Sequence, residues 1–429
     1  MKYIEIEGGH PIRGELAVQG SKNAALPMMA AALLTSQPVV LERCPQIEDV
    51  QVMCELLRCV GAEVTWQGER VRIHARRIQN TQLPQKLVNR MRSSVMLMGP
   101  LLSRAGEVKM CFPGGCVIGA RPIDLHIEGL RKLGYDFQEE KGCISGWQSR
   151  PELTGKRKSA FGVRRIHLEY PSVGATENLL MASVLEPGET VLTGAAREPE
   201  VQELAFMLRQ MGAQIDGIGT ERIRINGAAR LGGICRWIMA DRIVAGTYLI
   251  AAALTGGELL LHYVNPLDSF ALLQTLEEMG CRIAYNEKQQ WIHLRGPKRL
   301  KAAKVITKPY PGFPTDLQAM MMVAMSQAEG ISHMKETVFE NRYRHVEALR
   351  RMGARVNVQD NEATLWGSCR LKGNELWATD LRAGAAMVLA GLCAEGVSRI
   401  FNLEHVERGY ESIVKDLFAL GAHIQERTY

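Results

Sequence analysis

The sequence predicts an α/β protein of two domains built from six similar units. Three observations carry that prediction. An amphipathic helix, a glycine and an alternating strand recur six times, at Val60-Gly61-Ala62-Glu63-Val64, Leu133-Gly134-Tyr135-Asp136-Phe137, Met211-Gly212-Ala213-Gln214-Ile215, Met279-Gly280-Cys281-Arg282-Ile283, Met352-Gly353-Ala354-Arg355-Val356 and Leu420-Gly421-Ala422-His423-Ile424. A second kind of helix is apolar nearly all round, as in Ala245 to Leu254, Asn178 to Gly188 and Ala383 to Gly396, and such helices are buried ones. The chain has 429 residues, too many for one core.

Each element follows from local chemistry. The recurring glycine stops its helix in the left-handed conformation, which costs a glycine little. Alternating residues then start a strand. The copies lie about 70–80 residues apart, and self-similarity at a fixed period means repeated structural units. The apolar helices lead into strands such as Leu259-Leu260-Leu261-His262, Thr190-Val191-Leu192 and Ser398-Arg399-Ile400. Six units fall into two groups of three, with a boundary near Trp237–Asp241. No Pro/Ser-rich linker marks it.

Composition narrows the class. Apolar residues make up 46% and charged residues 23%, as in an ordinary soluble protein. The net charge of +6 comes without a long basic run interleaved with aromatics, which argues against a nucleic-acid partner. The start Met1-Lys2-Tyr3-Ile4-Glu5-Ile6 alternates like a strand and lacks a secretory apolar region. The longest apolar run, Ala24 to Thr35, is too short to span a bilayer and contains Pro27. None of the ten cysteines forms a Cys-x-x-Cys pair, so no zinc site is expected, and the thiols should be mostly reduced and buried in a cytoplasmic protein.

Several short motifs can carry chemistry, and each also has a plain structural role. Gly20-Ser21-Lys22-Asn23 opens an Ala-rich helix with Ser21 as N-cap; the helix start and Lys22 suit an anion, or Lys22 is simply solvated. Asn89-Arg90-Met91-Arg92 puts two arginines on a helix. Pro113-Gly114-Gly115-Cys116 to Arg121 is an irregular loop with one thiol, which the arginine could activate. Tyr170-Pro171-Ser172-Val173-Gly174-Ala175-Thr176 turns into a helix with Thr176 as its expected N-cap. Pro311-Gly312-Phe313-Pro314-Thr315-Asp316 is a rigid turn in which Asp316 reads locally as a cap. Glu340-Asn341-Arg342, Thr379-Asp380-Leu381-Arg382 and Glu407-Arg408 each place an arginine beside carboxylates, the usual sign of an ion pair. If Lys22, Arg92, Arg121, Arg342, Arg382 and Arg408 converge, they form a pocket for a multiply anionic ligand, with Cys116 and Asp316 as acid and base.

Taken in order, these motifs resemble the enolpyruvyl transferase family. Ala196-Arg197-Glu198-Pro199-Glu200, Val338-Phe339-Glu340-Asn341-Arg342 and Arg408-Gly409-Tyr410 extend the match from end to end. The resemblance implies two inside-out α/β barrel domains of three units each, helices inside and sheets outside, with the active site in the interdomain cleft. The domains would be 22–239, carrying the Cys116 loop, and 240–429, completed by 1–21. The implied reaction moves the enolpyruvyl group of phosphoenolpyruvate to the 3-hydroxyl of UDP-N-acetylglucosamine and releases phosphate, with no cofactor or metal. Cys116 matches the proton donor to the enol methylene, a thiol that the epoxide fosfomycin alkylates in the family. Asp316 matches the residue at the accepting hydroxyl. Lys22, Arg121 and Arg408 match cations around the phosphate, and Arg382 and Arg408 lie toward the carboxylate. Asn23, Arg92, Arg121, Pro122, Ile123, Asp124, Leu125, Ser172, Val173, Gly174, Asp316 and Val338 match positions that touch the sugar nucleotide. Glu198, Asp241 and Arg342 match further residues of the site.

Three positions depart from the family pattern. Glu48 stands before Asp49 where several relatives carry lysine. Val244 replaces an acidic residue, and Tyr170-Pro171 before Ser172 occurs in only part of the family. They leave room for a specialised or non-catalytic copy that binds a UDP-sugar. The branch acting on shikimate 3-phosphate uses no loop cysteine, so Cys116 argues against it. Oligomeric state is not legible.

Overall fold

Each of the six repeated glycines sits just past a helix with positive φ: 99° at Gly61, 105° at Gly134, 110° at Gly212, 101° at Gly280, 105° at Gly353 and 89° at Gly421. The helix therefore ends where the sequence demands, and the chain turns into a strand at once. The computed structural model describes residues 2–114, 123–149 and 162–428. These divide into two compact units, one of 2–19 with 240–428 and one of 20–114 with 123–239.

In the unit of residues 20–239, three helices form the interior: Lys22–Ala31, Met98–Ala105 and Val173–Ser183. Nearly every residue of Lys22–Ala31 and Val173–Ser183 is buried, as all-round apolar helices require. Packing is close enough to exclude side chains. A Cβ on Gly99 would stand 2.5 Å from the Asn178 carbonyl oxygen. Three sheets accompany these helices. One has the order Ile234–Trp237, Val39–Glu42, Arg70–His74, Glu63–Gln67; another has Gln214–Asp216, Arg222–Asn226, Glu189–Thr193, Arg164–His167. Each joins one parallel to two antiparallel pairings. The third, Glu107–Cys111, Cys143–Gln148, Tyr135–Glu140, keeps only a parallel bridge, Gln82 to Lys109, in place of the fourth strand.

The unit of residues 2–19 and 240–428 repeats the scheme with three four-stranded sheets. Its inner helices Arg242–Thr255, Gln318–Gln327 and Leu381–Cys393 pack on one another. Met320, Met321, Met322 and Met325 are fully buried, each contributing roughly 1.5–3 kcal/mol of apolar transfer. The N-terminal segment completes two of these sheets. Lys2–Glu7 lies between Val397–Phe401 and His423–Thr428, and Arg13–Ala17 pairs in parallel with Glu258–His262. Alternation along Lys2–Glu7 puts Ile4 and Ile6 into the core.

The cysteines differ from expectation in one respect. Cys111 and Cys143 stand directly opposite across an antiparallel pair and form a disulfide. Register between strands 32 residues apart created that pairing, which no sequence spacing announced. Buried thiols fill the core, and burial pushes Cys54 up to about 11 and both Cys281 and Cys393 up to about 12.

Candidate active site

In the 240–428 unit, the rigid turn before helix Gln318–Gln327 delivers Asp316. A 3₁₀ turn Thr315–Leu317 intervenes, and Asp316 caps nothing. Its carboxylate instead accepts from Arg342 Nη2 at 2.6 Å on Oδ1 and from Arg382 Nη2 at 2.7 Å on Oδ2. The arginine side chains are 4% and 9% exposed and the aspartate 26%. These are charge-assisted bonds between largely buried groups.

Asp380, the local carboxylate expected to pair with Arg382, does other work. Asp380 caps helix Leu381–Cys393, accepting from the Arg382 and Ala383 amides at 2.9 and 3.0 Å. That cap fixes the first turn, from which Arg382 projects. Arg342 also donates to the Thr315 carbonyl at 3.3 Å. Thr315 Oγ1 donates to Glu336 Oε2 at 2.9 Å, while Glu336 Oε1 accepts from the Val338 and Phe339 amides at 2.7 and 3.1 Å. Val338 is thus tied to Asp316 through two side chains. Burial works against the Arg382 charge, but Asp316, Tyr410 and Asp241 together outweigh it and raise the guanidinium above its ordinary value. Burial likewise pushes the Tyr410 hydroxyl up, opposed by Arg382 beside it. That hydroxyl meets Thr247 Oγ1 at 2.8 Å. Arg408, half-buried, lies two residues before it in a turn that Gln19 holds, donating to the Gly409 carbonyl and accepting from the Glu411 amide. Asp241 caps helix Arg242–Thr255 through the Ile243 and Val244 amides. Val244 is buried in the apolar interior.

The 20–239 unit carries a second cluster. Ser21 caps its helix, accepting from the Ala24 amide, and Lys22 is the first helical residue, with Asn23 next. Gly20 has to be glycine, because a Cβ would lie 1.9 Å from the Arg43 carbonyl oxygen. Lys22 Nζ reaches buried Asp49 Oδ2 at 3.3 Å. The sequence expectation of one helix carrying both Arg90 and Arg92 is not met: Arg90 lies in the break after Gln85–Val88, and Arg92 opens the separate 3₁₀ helix Arg92–Leu97. Arg90 pairs with Glu48 at 3.1 Å and Glu55 at 3.4 Å.

Ser172, not Thr176, caps helix Val173–Ser183, accepting from the Ala175 amide. Thr176 lies one turn in, where its hydroxyl donates to the Ser172 carbonyl and accepts from the Ala196 amide. Val173 and Gly174 therefore form a helix N-terminus, a natural seat for an anion. His126 lines it: a Cβ on Gly174 would stand 3.3 Å from His126 Nε2. Asn178 Nδ2 donates to the Val95 carbonyl and to His126 Nδ1, and Asn178 Oδ1 accepts from the Gly99 amide, so the assigned His126 tautomer carries its proton on Nε2. Burial, then Arg92, lowers His126 to about 4, leaving it neutral. Burial, then Glu200 and Glu198, raises Glu177 well above the carboxylate range. Ile123 precedes helix Asp124–Leu133, with Asp124 exposed and Leu125 half-buried. Cys116, Arg121 and Pro122 lie outside the described residues.

Sequence reasoning thus named Asp316, Arg342 and Arg382 but missed Asp49, His126, Asn178 and Glu336. Asn178 was detectable, since a polar residue inside an all-apolar helix needs partners. Asp49 resembled an ordinary acidic first-turn residue.

A mixed α/β chain with carboxylate, guanidinium and helix-terminus sites defines an anion-handling enzyme class, and comparison identifies it. The chain belongs to the enolpyruvyl transferase family, matching over residues 6–417 the family model described as EPSP synthase (3-phosphoshikimate 1-carboxyvinyltransferase). It is 44% identical over 426 residues to UDP-N-acetylglucosamine 1-carboxyvinyltransferase 1 of Caldanaerobacter subterraneus, with 99% of each chain covered. It is 45% identical over 427 residues to UDP-N-acetylglucosamine 1-carboxyvinyltransferase of Granulibacter bethesdensis, again covering 99% of each. The crystal structure of the enolpyruvyl transferase NikO from Streptomyces tendae superposes with a TM-score of 0.87 at 25% identity, covering 100% of this chain and 99% of that one. EPSP synthase from Acinetobacter baumannii gives 0.76 at 19% identity, with complete coverage of both, and shares the fold.

Proposed function

We propose that this protein transfers the enolpyruvyl group of phosphoenolpyruvate to the 3-hydroxyl of UDP-N-acetylglucosamine and releases phosphate, a committing step of peptidoglycan synthesis. The observation that carries this is full-length identity of 40–45% to several enzymes named for that activity. The family model's own name points to the shikimate branch, but a solved EPSP synthase from Acinetobacter baumannii is only 19% identical.

The reaction proceeds by addition and elimination. The sugar hydroxyl adds to C2 of phosphoenolpyruvate as its proton passes to Asp316, while Cys116 delivers a proton to the C3 methylene. Phosphate then leaves C2, taking the proton held by Asp316, while a C3 proton returns to the Cys116 thiolate, which restores the double bond and both groups. The paired arginines support the Asp316 assignment, because they hold both carboxylate oxygens in fixed positions. Lys22, Arg121, Arg382 and Arg408 balance phosphate and carboxylate charge, the fixed electrostatics expected to supply most of the rate. Asn23, Arg92, Pro122, Ile123, Asp124, Leu125, Ser172, Val173, Gly174, Val338 and Arg342 bind the sugar nucleotide or hold the residues that do. Each unit closes as an inside-out α/β barrel. No described helix is long and apolar enough to cross a membrane, in keeping with two water-soluble substrates.

Phosphate release measured with phosphoenolpyruvate and UDP-N-acetylglucosamine tests the proposal. Turnover is expected with this acceptor and not with shikimate 3-phosphate. A folded chain that binds the sugar nucleotide without turnover would instead be a non-catalytic paralogue.

A further inference from the structure

We infer that Glu7, His10 and His423 form a surface site for a divalent late first-row transition ion, with Zn²⁺ as its natural test. The ligand atoms of these three side chains lie within 4.8 Å of one another. Glu7 and His423 are direct cross-strand partners at one end of the Lys2–Glu7 and His423–Thr428 pairing. His423 Nδ1 stands 3.4 Å from Glu7 Oε2. His10 closes the group from the turn after Glu7, its ring stacked on His423 with centroids 3.6 Å apart and planes at 20°.

The backbone beneath the group is already organised. Gly8 and Gly9 donate to the Gly396 and Leu392 carbonyls at 3.3 and 2.9 Å. A Cβ on Gly8 would meet the Ala394 carbonyl oxygen at 2.2 Å, so this turn is pressed against the end of helix Leu381–Cys393. Pro11 fixes the backbone after His10, and Ile12 anchors it in the core. The donors are therefore gathered by packed structure, and only side-chain rotation remains. Zn–N bonds of about 2.0–2.1 Å in a tetrahedral ion require ligand atoms about 3.3 Å apart. Glu7 and His423 are 61% and 55% exposed, so both side chains have room to rotate and bring their ligand atoms together.

Donor chemistry sets the class of ion. Two imidazoles and one carboxylate suit Zn²⁺, Ni²⁺ or Cu²⁺. Ca²⁺ and Mg²⁺ want oxygen ligands, and the group offers one carboxylate. Three protein ligands leave a position for water. The ion would join strands 416 residues apart in sequence at the point where both ends of the chain share a sheet. It binds the folded state, so it stabilises the 240–428 unit by mass action.

The test uses the full chain without an affinity tag, titrated with Zn²⁺ against a chromophoric chelator and with Co²⁺ followed by visible absorption. One equivalent should bind, with Co²⁺ bands lacking sulfur-to-metal charge transfer, and Zn²⁺ should raise the melting temperature. His423→Ala and His10→Gln should each weaken binding by more than the roughly 10- to 100-fold typical of losing a ligand's outer hydrogen-bond partner. Their melting temperatures in chelator should equal that of the parent, since these side chains are not in the core. No binding, undiminished binding in both variants, or a thiolate charge-transfer band would each overturn the assignment.

Discussion

Replacing Asp316 by alanine should unfold its unit early and stop turnover, and the two effects are separable. The substitution leaves Arg342 and Arg382 facing each other at 4% and 9% exposure with their shared anion gone. Removing one partner of a buried ion pair costs roughly 3–5 kcal/mol. Asp316 itself is 26% exposed, so water partly replaces the lost carboxylate, and the low end, about 3 kcal/mol, applies. For a unit of this size that lowers the melting temperature by about 6–12 °C. Losing the proposed general base should also lower kcat by roughly 10²- to 10⁴-fold. Calorimetry and phosphate release on the same preparation read both. Asp316→Asn keeps the shape and one acceptor oxygen, so it should recover part of the stability and little of the rate. A melting temperature within about 2 °C of the parent would refute the buried triad. Full activity in Asp316→Ala would refute the base.

Other outcomes follow from the same geometry. Cys116→Ala should abolish product formation and prevent covalent labelling by fosfomycin, read by intact-protein mass; retained turnover refutes the acid assignment. Asn178→Ala should lower the urea midpoint, because it strands the Gly99 amide and the Val95 carbonyl at about 1–3 kcal/mol each. Stability should also fall on acidification. His126 and His345 are lowered to about 4, chiefly by burial, from an ordinary 6.5. Below pH 6.5 the unfolded chain takes up protons that the folded chain refuses, so each histidine withdraws up to roughly 3 kcal/mol between pH 6.5 and 4. Denaturant curves at pH 7 and 5 measure this, and His126→Gln should flatten the slope for its unit; an unchanged slope sinks the assignment.

Much of the fold was legible because its punctuation is local. A helix stop needs a residue that accepts positive φ, and six glycines recorded the six stops directly. Apolar-all-round helices announced their burial in the same way. The site was legible only as a set of residue types. Asp316 sits after Pro314 like a cap, yet its partners stand 26 and 66 residues away, and sequence spacing carries no sign of such pairings. Asp380 and Glu340 lay nearer to the two arginines in sequence, but Asp380 is committed to the helix amides. The misplaced cap at Thr176 has a similar origin: Ser172 and Thr176 are both good caps, and only the turn geometry after Pro171 chose between them. The Cys111–Cys143 bond needed strand register.

Glu48, where the family resemblance leads one to expect lysine, has its charge met within this structure. Glu48 and Asp49 are the first two residues of helix Glu48–Cys59, so their side chains point in different directions. Asp49 turns inward to Lys22, and Glu48 turns outward to Arg90. The negative charge at position 48 is thus met by a cation supplied from another segment, and the Lys22–Asp49 pair does not depend on it. Glu48 and Arg90 are 37% and 39% exposed, where an ion pair contributes about 0–1 kcal/mol. Glu48→Lys leaves Arg90 with Glu55 and should cost no more than about 1 kcal/mol. KM for both substrates should change by less than about threefold, a difference below 1 kcal/mol. Asp49→Asn, by contrast, removes the charge that orients Lys22, the cation proposed to face the phosphate, and should lower kcat/KM for phosphoenolpyruvate at least tenfold, about 1.4 kcal/mol. A tenfold KM effect from Glu48→Lys would mean that position 48 acts on substrate itself, and that Arg90 compensates for nothing.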